Sequence, residues 1–231
     1  MNKTLSRLLS KQRYTTCICM CTLCIMCVLN NVQSQDISPT QHQQTQQLYQ
    51  HLQNLIQSIE KSLNTHQCLQ ANFIEKRYVD NGRVVTLSGV IKVNRKHGIR
   101  YEYDKYDIYM LTYEGTVYWY QRSSNLISRI NASNMPIRFL LDDQIHLLGH
   151  PNLSLQDVKE QGDDVILRFT HENGDIDICF TKKKHDYTIS WWKIYGRTHI
   201  LVTLDNHTQR YIHDTEIKKD FNIENEDTHD Q

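Results

Sequence analysis

Histidines and adjacent carboxylates are the side chains of this sequence best suited to chemistry. His146 and His150 have the i, i+4 spacing that places two metal ligands on one face of a helix. Gly149 and Pro151 flank the second histidine, however, and both residues disfavour a regular helix. We therefore interpret the two histidines as exposed loop residues and predict no metal site.

Carboxylates are paired at Asp142/Asp143 and at Asp163/Asp164. The second pair follows Gly162 in a predicted turn, where carboxylates are solvated and poorly suited to general acid–base catalysis. The sequence contains no Gly-x-Ser-x-Gly, P-loop, Gly-x-Gly-x-x-Gly or His-Glu-x-x-His motif. We therefore predict that the protein is not an enzyme, has no catalytic residues and uses no cofactor.

Five of the seven cysteines belong to an apolar run from Thr15 to Leu29, where they act as small apolar residues. Four cations precede this run, and residues 1–34 contain no acidic residue. Val32 and Ser34 follow the run as small residues. This order of positive, apolar and small-residue segments is that of a secretory signal peptide. We predict that residues 1–34 direct export to the periplasm and are cleaved off after Ser34.

The apolar run is also too short to anchor the chain. It has about 15 residues, whereas a membrane-spanning helix needs roughly 20. None of its cysteines suits lipid attachment; Cys27, for example, follows Ile25 and Met26 rather than a small residue. We expect a soluble mature protein that retains only Cys68 and Cys179. An oxidising compartment permits a disulfide between these two, and the sequence leaves their pairing open.

The charge of the mature chain excludes one class of partner. The sequence has 26 basic and 26 acidic residues, and loss of the four N-terminal cations leaves 22 basic residues against 26 acidic ones. Binding to nucleic acid requires clustered Lys and Arg that displace counterions from phosphates, and no basic block occurs here. We predict no nucleic-acid partner and expect a monomer.

Apolar periodicity divides the rest of the chain into a helix and a long β region. Residues 35–46 are polar and Gln-rich, and we predict a flexible lead-in. Apolar residues then recur every three or four positions, as on one face of an amphipathic helix: Leu48, Leu52, Leu55, Ile56, Ile59 and Leu63. From Cys68 onward the period is two. We assign residues 47–222 to a single β domain and 223–231 to a polar tail.

The β region predicts an antiparallel meander. Leu69, Ala71 and Phe73 alternate with polar residues, as do residues 85–93 and 99–103, and turn signals separate these runs. Strands joined by short hairpins form a mainly β fold that closes or half-closes into a barrel. Alternation gives such a sheet one apolar face. Our candidates for the lining of a cavity on that face are Phe73, Leu87, Ile91, Ile99, Tyr101, Met110 and Trp119.

One segment interrupts the β pattern. Pro136 follows a possible cap at Asn134, and proline is favoured at the first position of a helix. Ile137, Leu140 and Leu141 then share one face. The pattern predicts a short helix inserted between β runs.

The order of these segments resembles the periplasmic outer-membrane lipoprotein carrier protein family (LolA) over about residues 48–205. The matching segments are Leu69–Phe73, Leu87–Arg95, Ile99–Tyr103, Leu111–Tyr120, Met135–Leu141 and Gly162–Phe169. The resemblance implies an unclosed antiparallel β-barrel, or half-barrel, with an N-terminal helix and a short inserted lid helix over an apolar cavity. It also implies a carrier that takes acylated lipoproteins from an inner-membrane ABC transporter and passes them to an outer-membrane receptor.

Two positions take roles from this resemblance. Arg95 matches an arginine that latches the lid, and the lid helix itself corresponds to Pro136, Ile137, Leu140 and Leu141. On this basis we expect Arg95 to donate hydrogen bonds to carbonyl oxygens of that helix. The family usually has Arg-Pro at this turn, whereas this chain has Lys96, which restores a backbone donor and frees φ.

Two other functions fit the same fold. An outer-membrane lipoprotein receptor would itself carry a lipid, and a lipid-attachment cysteine is missing. A periplasmic lipoprotein-sensing module would usually carry a further domain, and few residues follow position 205.

Overall fold

The computed structural model describes most of the chain downstream of the predicted signal segment. The described residues are 39–79, 81–106, 108–113, 115–124, 126–131, 135–196 and 198–212. The signal peptide with its cleavage site, the possible cap at Asn134 and the polar tail 223–231 therefore lie outside them. The chain divides into two units, residues 1–51 and 52–231.

Within the described residues, a long helix, α1, runs from Pro39 to Thr65. It begins at a proline, whose missing N–H costs nothing at the first helical position. Residues 39–46, which belong to the predicted flexible lead-in 35–46, are therefore helical. In the first unit, the side chains from residue 43 to 51 are exposed, including Leu48 at 59%. Leu48 does not continue the buried stripe that its spacing predicts.

In the second unit, the remaining part of α1 is amphipathic, as its periodicity predicts. Leu55, Ile56, Ile59 and Leu63 are buried, whereas the residues between them are mostly exposed. Their spacing of three and four residues places them on one side of the helix. Among the described residues, no helix is both long and apolar enough to cross a membrane.

The described part of the second unit contains twelve strands. They are β1 (Cys68–Tyr78), β2 (Val84–Asn94), β3 (Gly98–Tyr103), β4 (Ile108–Tyr113), β5 (Thr116–Gln121), β6 (Leu126–Asn131), β7 (Ser154–Gln161), β8 (Asp164–His171), β9 (Gly174–Lys183), β10 (Asp186–Tyr195), β11 (His199–Leu204) and β12 (Arg210–Tyr211).

All twelve strands form one unclosed antiparallel sheet, as predicted. Its order is β6-β5-β4-β3-β2-β1-β11-β10-β9-β8-β7, and the short β12 pairs with β1. Two hairpin series, β1–β6 and β7–β11, are joined where Phe73 of β1 pairs with Leu204 of β11. The predicted turns separate the strands; Gly162, for example, has a φ of 64° between β7 and β8.

The backbones of β2 and β3 approach closely at a glycine on the inner face of the curled sheet. Gly89 pairs with Phe73 on one side and with Tyr103 on the other. A Cβ atom on Gly89 would lie 1.8 Å from the carbonyl oxygen of Glu102, so no other residue fits without a shift of the backbone. The curl brings Arg77 of β1 within 5.7 Å of the ring of Trp119, although Trp119 lies four strands away on β5.

The predicted inserted helix is present as a six-residue 3-10 helix, Pro136–Leu141. The N–H of Asp142 closes it by donating to the carbonyl oxygen of Phe139 at 3.2 Å. Ile137, Phe139 and Leu140 are buried, while Leu141 is only partly buried.

The two cysteines of the mature chain lie in different surroundings. Cys68 packs with Tyr109, Leu111 and Tyr120 in a small cluster that is separate from the main core. Cys179 is buried on β9, and no disulfide joins the two thiols.

Candidate functional site

The residues predicted to line a cavity lie together on the inner face of the sheet, the face that α1 covers. Phe73, Ile91, Ile99 and Tyr101 are at most 3% exposed and belong to one apolar cluster. Leu87, Met110 and Trp119 are partly buried and pack against the same cluster. The alternation of the sequence therefore assigned these residues to a shared face, and their role toward an acyl chain stays a prediction.

Helices rather than a second sheet cover this face. Leu55, Ile56 and Ile59 of α1 belong to the same cluster as the inner face, and so do Ile137 and Leu140 of the inserted helix. A pocket of about 40 Å³ remains where α1 meets β2 and the inserted helix. This volume is close to that of one water molecule. An acyl chain does not fit in this pocket, so it can occupy this part of the inner face only when the covering helices move away.

Arg95 holds the C-terminal end of α1. It lies in the turn between β2 and β3, donates from Nη1 to Oδ1 of Asn64 at 2.9 Å and donates from Nη2 to the carbonyl oxygen of Leu63. The prediction that Arg95 bonds to carbonyl oxygens of the Pro136–Leu141 helix is therefore wrong about the partner. The carbonyl oxygen within reach belongs to the last turn of α1, where backbone acceptors lack intrahelical partners.

The last turns of α1 also bind the segment that follows the inserted helix. Asn64 accepts from the N–H of Ile145 at 2.8 Å and donates to its carbonyl oxygen at 2.9 Å. Glu60 accepts from the N–H groups of Leu147 and Leu148 through one carboxylate oxygen, at 2.6 and 3.1 Å. Arg95 thus reaches this segment through Asn64, and α1 and the segment are joined by four hydrogen bonds.

The surroundings of Arg95 make protonation of its guanidinium group slightly less favourable, but the group keeps its charge. Partial burial lowers the pKa of Arg95, while Asp142 and Asp143 act to raise it. A guanidinium group remains protonated at any pH a folded protein encounters. Arg95 is therefore a permanent cation, and a change of pH does not switch its bonds off.

The two histidines that were considered as metal ligands have different surroundings. His146 is exposed, as predicted. His150 is not an exposed loop residue, because its side chain is only 9% exposed and its Nε2 lies 2.9 Å from Oδ2 of Asp142. In the described part of the chain, no group of three His, Cys, Asp or Glu residues could hold a metal ion.

The inner face also contains an ion pair that was not predicted from the sequence. Glu75 and Arg77 have the same parity along β1 as Ala71 and Phe73, and their side chains bond to one another through Nε of Arg77. Tyr103 donates to Oε2 of Glu75 at 3.1 Å. Burial, then the charge of Glu75, raises the pKa of Tyr103 far above its ordinary value. Extending the period-two count past Phe73 would have placed this charged pair on the apolar face.

No protein-family model matches the chain, and no curated protein matches it. Among solved structures, a DUF1329 family protein from Desulfovibrio piger is 13% identical with a TM-score of 0.43, covering 71% of this chain and 95% of its own. A LolA superfamily protein from Nitrosomonas europaea is 8% identical with a TM-score of 0.42, covering 75% and 98%.

A putative outer membrane lipoprotein-sorting protein domain from Vibrio parahaemolyticus is 9% identical with a TM-score of 0.41, covering 71% of this chain and 95% of its own. At these values the likeness carries no conclusion about family or function. The fold rests on the strand pairing described above, and membership of the LolA family stays a prediction.

Proposed function

We propose that this protein is a periplasmic carrier that binds the acyl chains of lipoproteins released from the inner membrane and delivers them to the outer membrane. One observation carries the proposal: the inner face of a half-barrel carries apolar residues on β1–β5 and on β7–β11 and is covered by helices that are held at one end by a few polar contacts. The segment order that resembles the LolA family supports the same function.

A carrier is needed because acyl chains are costly to expose. Each buried methylene is worth about 0.8 kcal/mol, so a 16-carbon chain costs roughly 12 kcal/mol to bring into water. An apolar inner face can replace the membrane during transit. Phe73, Ile91, Ile99 and Tyr101 supply such a surface once α1 no longer covers it.

Loading requires α1 to leave the inner face, and release requires it to return. In the described part of the chain, the polar contacts that hold its end to the sheet include the bonds from Arg95 and a bond from the N–H of Tyr187 to Oγ of Ser62 at 3.0 Å. A hydrogen bond from a charged donor contributes about 1.5–3 kcal/mol, and roughly 1.4 kcal/mol changes an equilibrium tenfold. Acyl chains can offset contacts of this size, so the covered and uncovered states can exchange.

Native mass spectrometry tests the proposal on mature protein isolated from its own periplasm. We expect an acylated protein bound to a chain that begins at Gln35. Mature protein that never carries an acylated partner, and that binds no fluorescent fatty acid in vitro, would refute the carrier function. A chain that retains Met1 would contradict export. A chain with a lipidated N-terminus would favour the receptor instead.

A further inference from the structure

The ion pair between Glu75 and Arg77 lies where the inner face opens to solvent. Along β1, Ala71 and Phe73 are 1% and 2% exposed, whereas the side chain of Arg77 is 31% exposed. Arg77 pairs with Val85 of β2 on one side and with Ile200 of β11 on the other, and both are only partly buried. We call this end of the inner face the Arg77 mouth, defined by Glu75, Arg77, Val85, Tyr103, Trp119 and Ile200.

Stability does not account for a charged pair in this place. Replacing a buried ion pair by well-packed apolar residues is often neutral or stabilising, because both charges must be taken out of water. The side chain of Glu75 is only 5% exposed, and its neighbours across β2 and β11 are Leu87 and Val202. The pair therefore places polar groups in surroundings that apolar residues would fill at least as well.

Arg77 has donor groups to spare. Its Nε donates to Glu75, its Nη2 donates to the hydroxyl of Tyr103 at 3.4 Å, and its Cζ lies 5.7 Å from the ring centroid of Trp119. Within the described residues, Nη1 of Arg77 donates to no protein atom. A guanidinium has five N–H donors, so both N–H groups of Nη1 remain available on this partly exposed side chain.

The electrostatics of the mouth select the acceptor. Glu75 already neutralises Arg77, so a second carboxylate would leave the mouth with an unbalanced negative charge. A neutral carbonyl oxygen accepts from the remaining N–H groups without that cost. Esters and amides, which join acyl chains to glycerol or to an N-terminus, supply such an oxygen directly beside an apolar chain.

We infer that the Arg77 mouth is a subsite for the ester or amide carbonyl that joins an acyl chain to its cargo. The inference rests on the proposed acyl-carrier function. The carbonyl oxygen accepts from Nη1 of Arg77, while the first methylenes lie against Val85, Trp119 and Ile200. The rest of the chain then extends toward Ile91 and Ile99, where α1 lies in this structure.

Matched lipids test the subsite. The probes are a 1-acyl and a 1-alkyl lysophosphatidylcholine of equal chain length, which differ by the ester carbonyl, titrated calorimetrically below their micellar concentrations. We expect the wild-type protein to bind the ester roughly tenfold more tightly than the ether, since a charged donor contributes that much to one hydrogen bond.

Two variants and a control locate the effect. Arg77→Leu alone would leave Glu75 buried without its cation, so the test variant is Glu75→Gln/Arg77→Leu, which is expected to bind both lipids with the affinity of the ether. If the double variant does not fold, Arg77→Lys takes its place. Lysine retains the charge but lacks the planar fork that can donate to Glu75 and to a carbonyl from different nitrogens, so the preference should be lost there too. Lys76→Leu removes an exposed cation from the opposite face of β1 and should keep the preference.

The outcomes separate the two proposals. Equal binding of ester and ether by the wild-type protein overturns the carbonyl subsite and leaves the carrier function standing. A preference that survives in the double variant, or in Arg77→Lys where that variant is used, also overturns the subsite. Loss of the preference in Lys76→Leu would assign it to overall charge and overturn the subsite as well. If neither lipid binds, the subsite is overturned, and the carrier function fails as well if the native protein also carries no acylated partner and binds no fluorescent fatty acid.

Discussion

Oδ1 of Asn64 accepts hydrogen bonds from Nη1 of Arg95 at 2.9 Å and from the N–H of Ile145 at 2.8 Å. One amide oxygen thereby joins the turn between β2 and β3, the end of α1 and the segment after the inserted helix. This contact is therefore shared by three parts of the second unit.

Arg95→Leu should weaken this contact and uncover the inner face. Both bonds from Arg95 are lost, each worth about 1.5–3 kcal/mol. We expect faster amide hydrogen exchange in residues 55–65 and blocked transfer of a loaded lipoprotein to receptor-bearing outer membranes. The matched control is Lys96→Leu, which removes the exposed cation next to Arg95. Wild-type exchange and transfer in Arg95→Leu would leave Arg95 without a latch role.

Ile91→Glu should abolish binding of a fluorescent fatty acid. Ile91 is 1% exposed in the centre of the inner face, so a carboxylate there opposes both an acyl chain and α1. The same change should lower the free energy of unfolding by about 3 kcal/mol. Trp119→Gln, at a partly exposed position, tests the face at lower cost to folding. Lys92→Glu on the opposite face is the control, and unchanged probe affinity in Ile91→Glu would exclude this face as the binding surface.

Gly89→Ala should be among the most damaging single changes in the sheet. The new Cβ would meet the carbonyl oxygen of Glu102, which belongs to the backbone and cannot rotate away. We expect a loss of about 3–5 kcal/mol in the free energy of unfolding, measured with urea. Ser88→Ala, one residue earlier and on the other face, should change it by less than about 1 kcal/mol. Equal effects of the two changes would contradict the close approach.

Asp177 should make the protein sensitive to acid. Burial acts to raise the pKa of Asp177, but hydrogen bonds from Arg168 at 2.7 and 2.8 Å and from Tyr195 at 2.7 Å outweigh it and hold the pKa below the ordinary value of 3.8. The unfolded chain then binds a proton more readily than the native protein, so the stabilisation is present above about pH 4 and is lost as the pH falls through the native pKa.

Asp177→Asn should therefore remove part of the decline in the free energy of unfolding between about pH 4 and pH 2. Asp175→Asn, an exposed position on the same strand, should leave that decline intact. The measurement is urea unfolding at a series of pH values. Identical pH profiles for wild type and Asp177→Asn would show that the Arg168–Asp177 pair does not contribute.

The two thiols should react only when the protein opens. Cys68 and Cys179 are 4% and 1% exposed, and burial raises the pKa of Cys179 to about 11. The thiolate is the reactive form, so little of it is present at neutral pH. Native mature protein should modify slowly with a thiol reagent, and two thiols should titrate in denaturant. A rapid native reaction would contradict the burial of these side chains.

The apolar part of the site was predictable from the sequence because it follows from alternation. Side chains along a strand point alternately to the two faces of the sheet, and short turns set the register between strands. The residues that share the inner face for this reason are Phe73, Ile91, Ile99 and Tyr101. The charged pair on β1 was missed because Glu75 breaks the apolar–polar pattern just where the strand continues to Tyr78. The parity of Glu75 does place it on the apolar face, but the pattern alone gives no reason to expect a buried charge there, since carboxylates are rarely buried unless paired.

The partner of Arg95 was not predictable from the sequence. Asn64 is 31 positions away, and its position depends on how α1 packs across the sheet. The inserted helix was correctly located by its proline, yet its six residues form a 3-10 helix, which short helical segments commonly adopt. Such packing depends on the assembled fold rather than on local propensity.

The junction between β1 and β11 has a consequence for how the chain folds. Every other long strand pairs with its neighbour in sequence, so β1–β6 and β7–β11 can each form hairpin by hairpin with short loops. Pairing of Phe73 with Leu204 instead closes a loop of more than a hundred residues, which carries a larger entropic cost. The rate-limiting step of folding should therefore be the docking of two preformed meanders, and changes along β1 and β11 should slow folding more than changes at the outer hairpins.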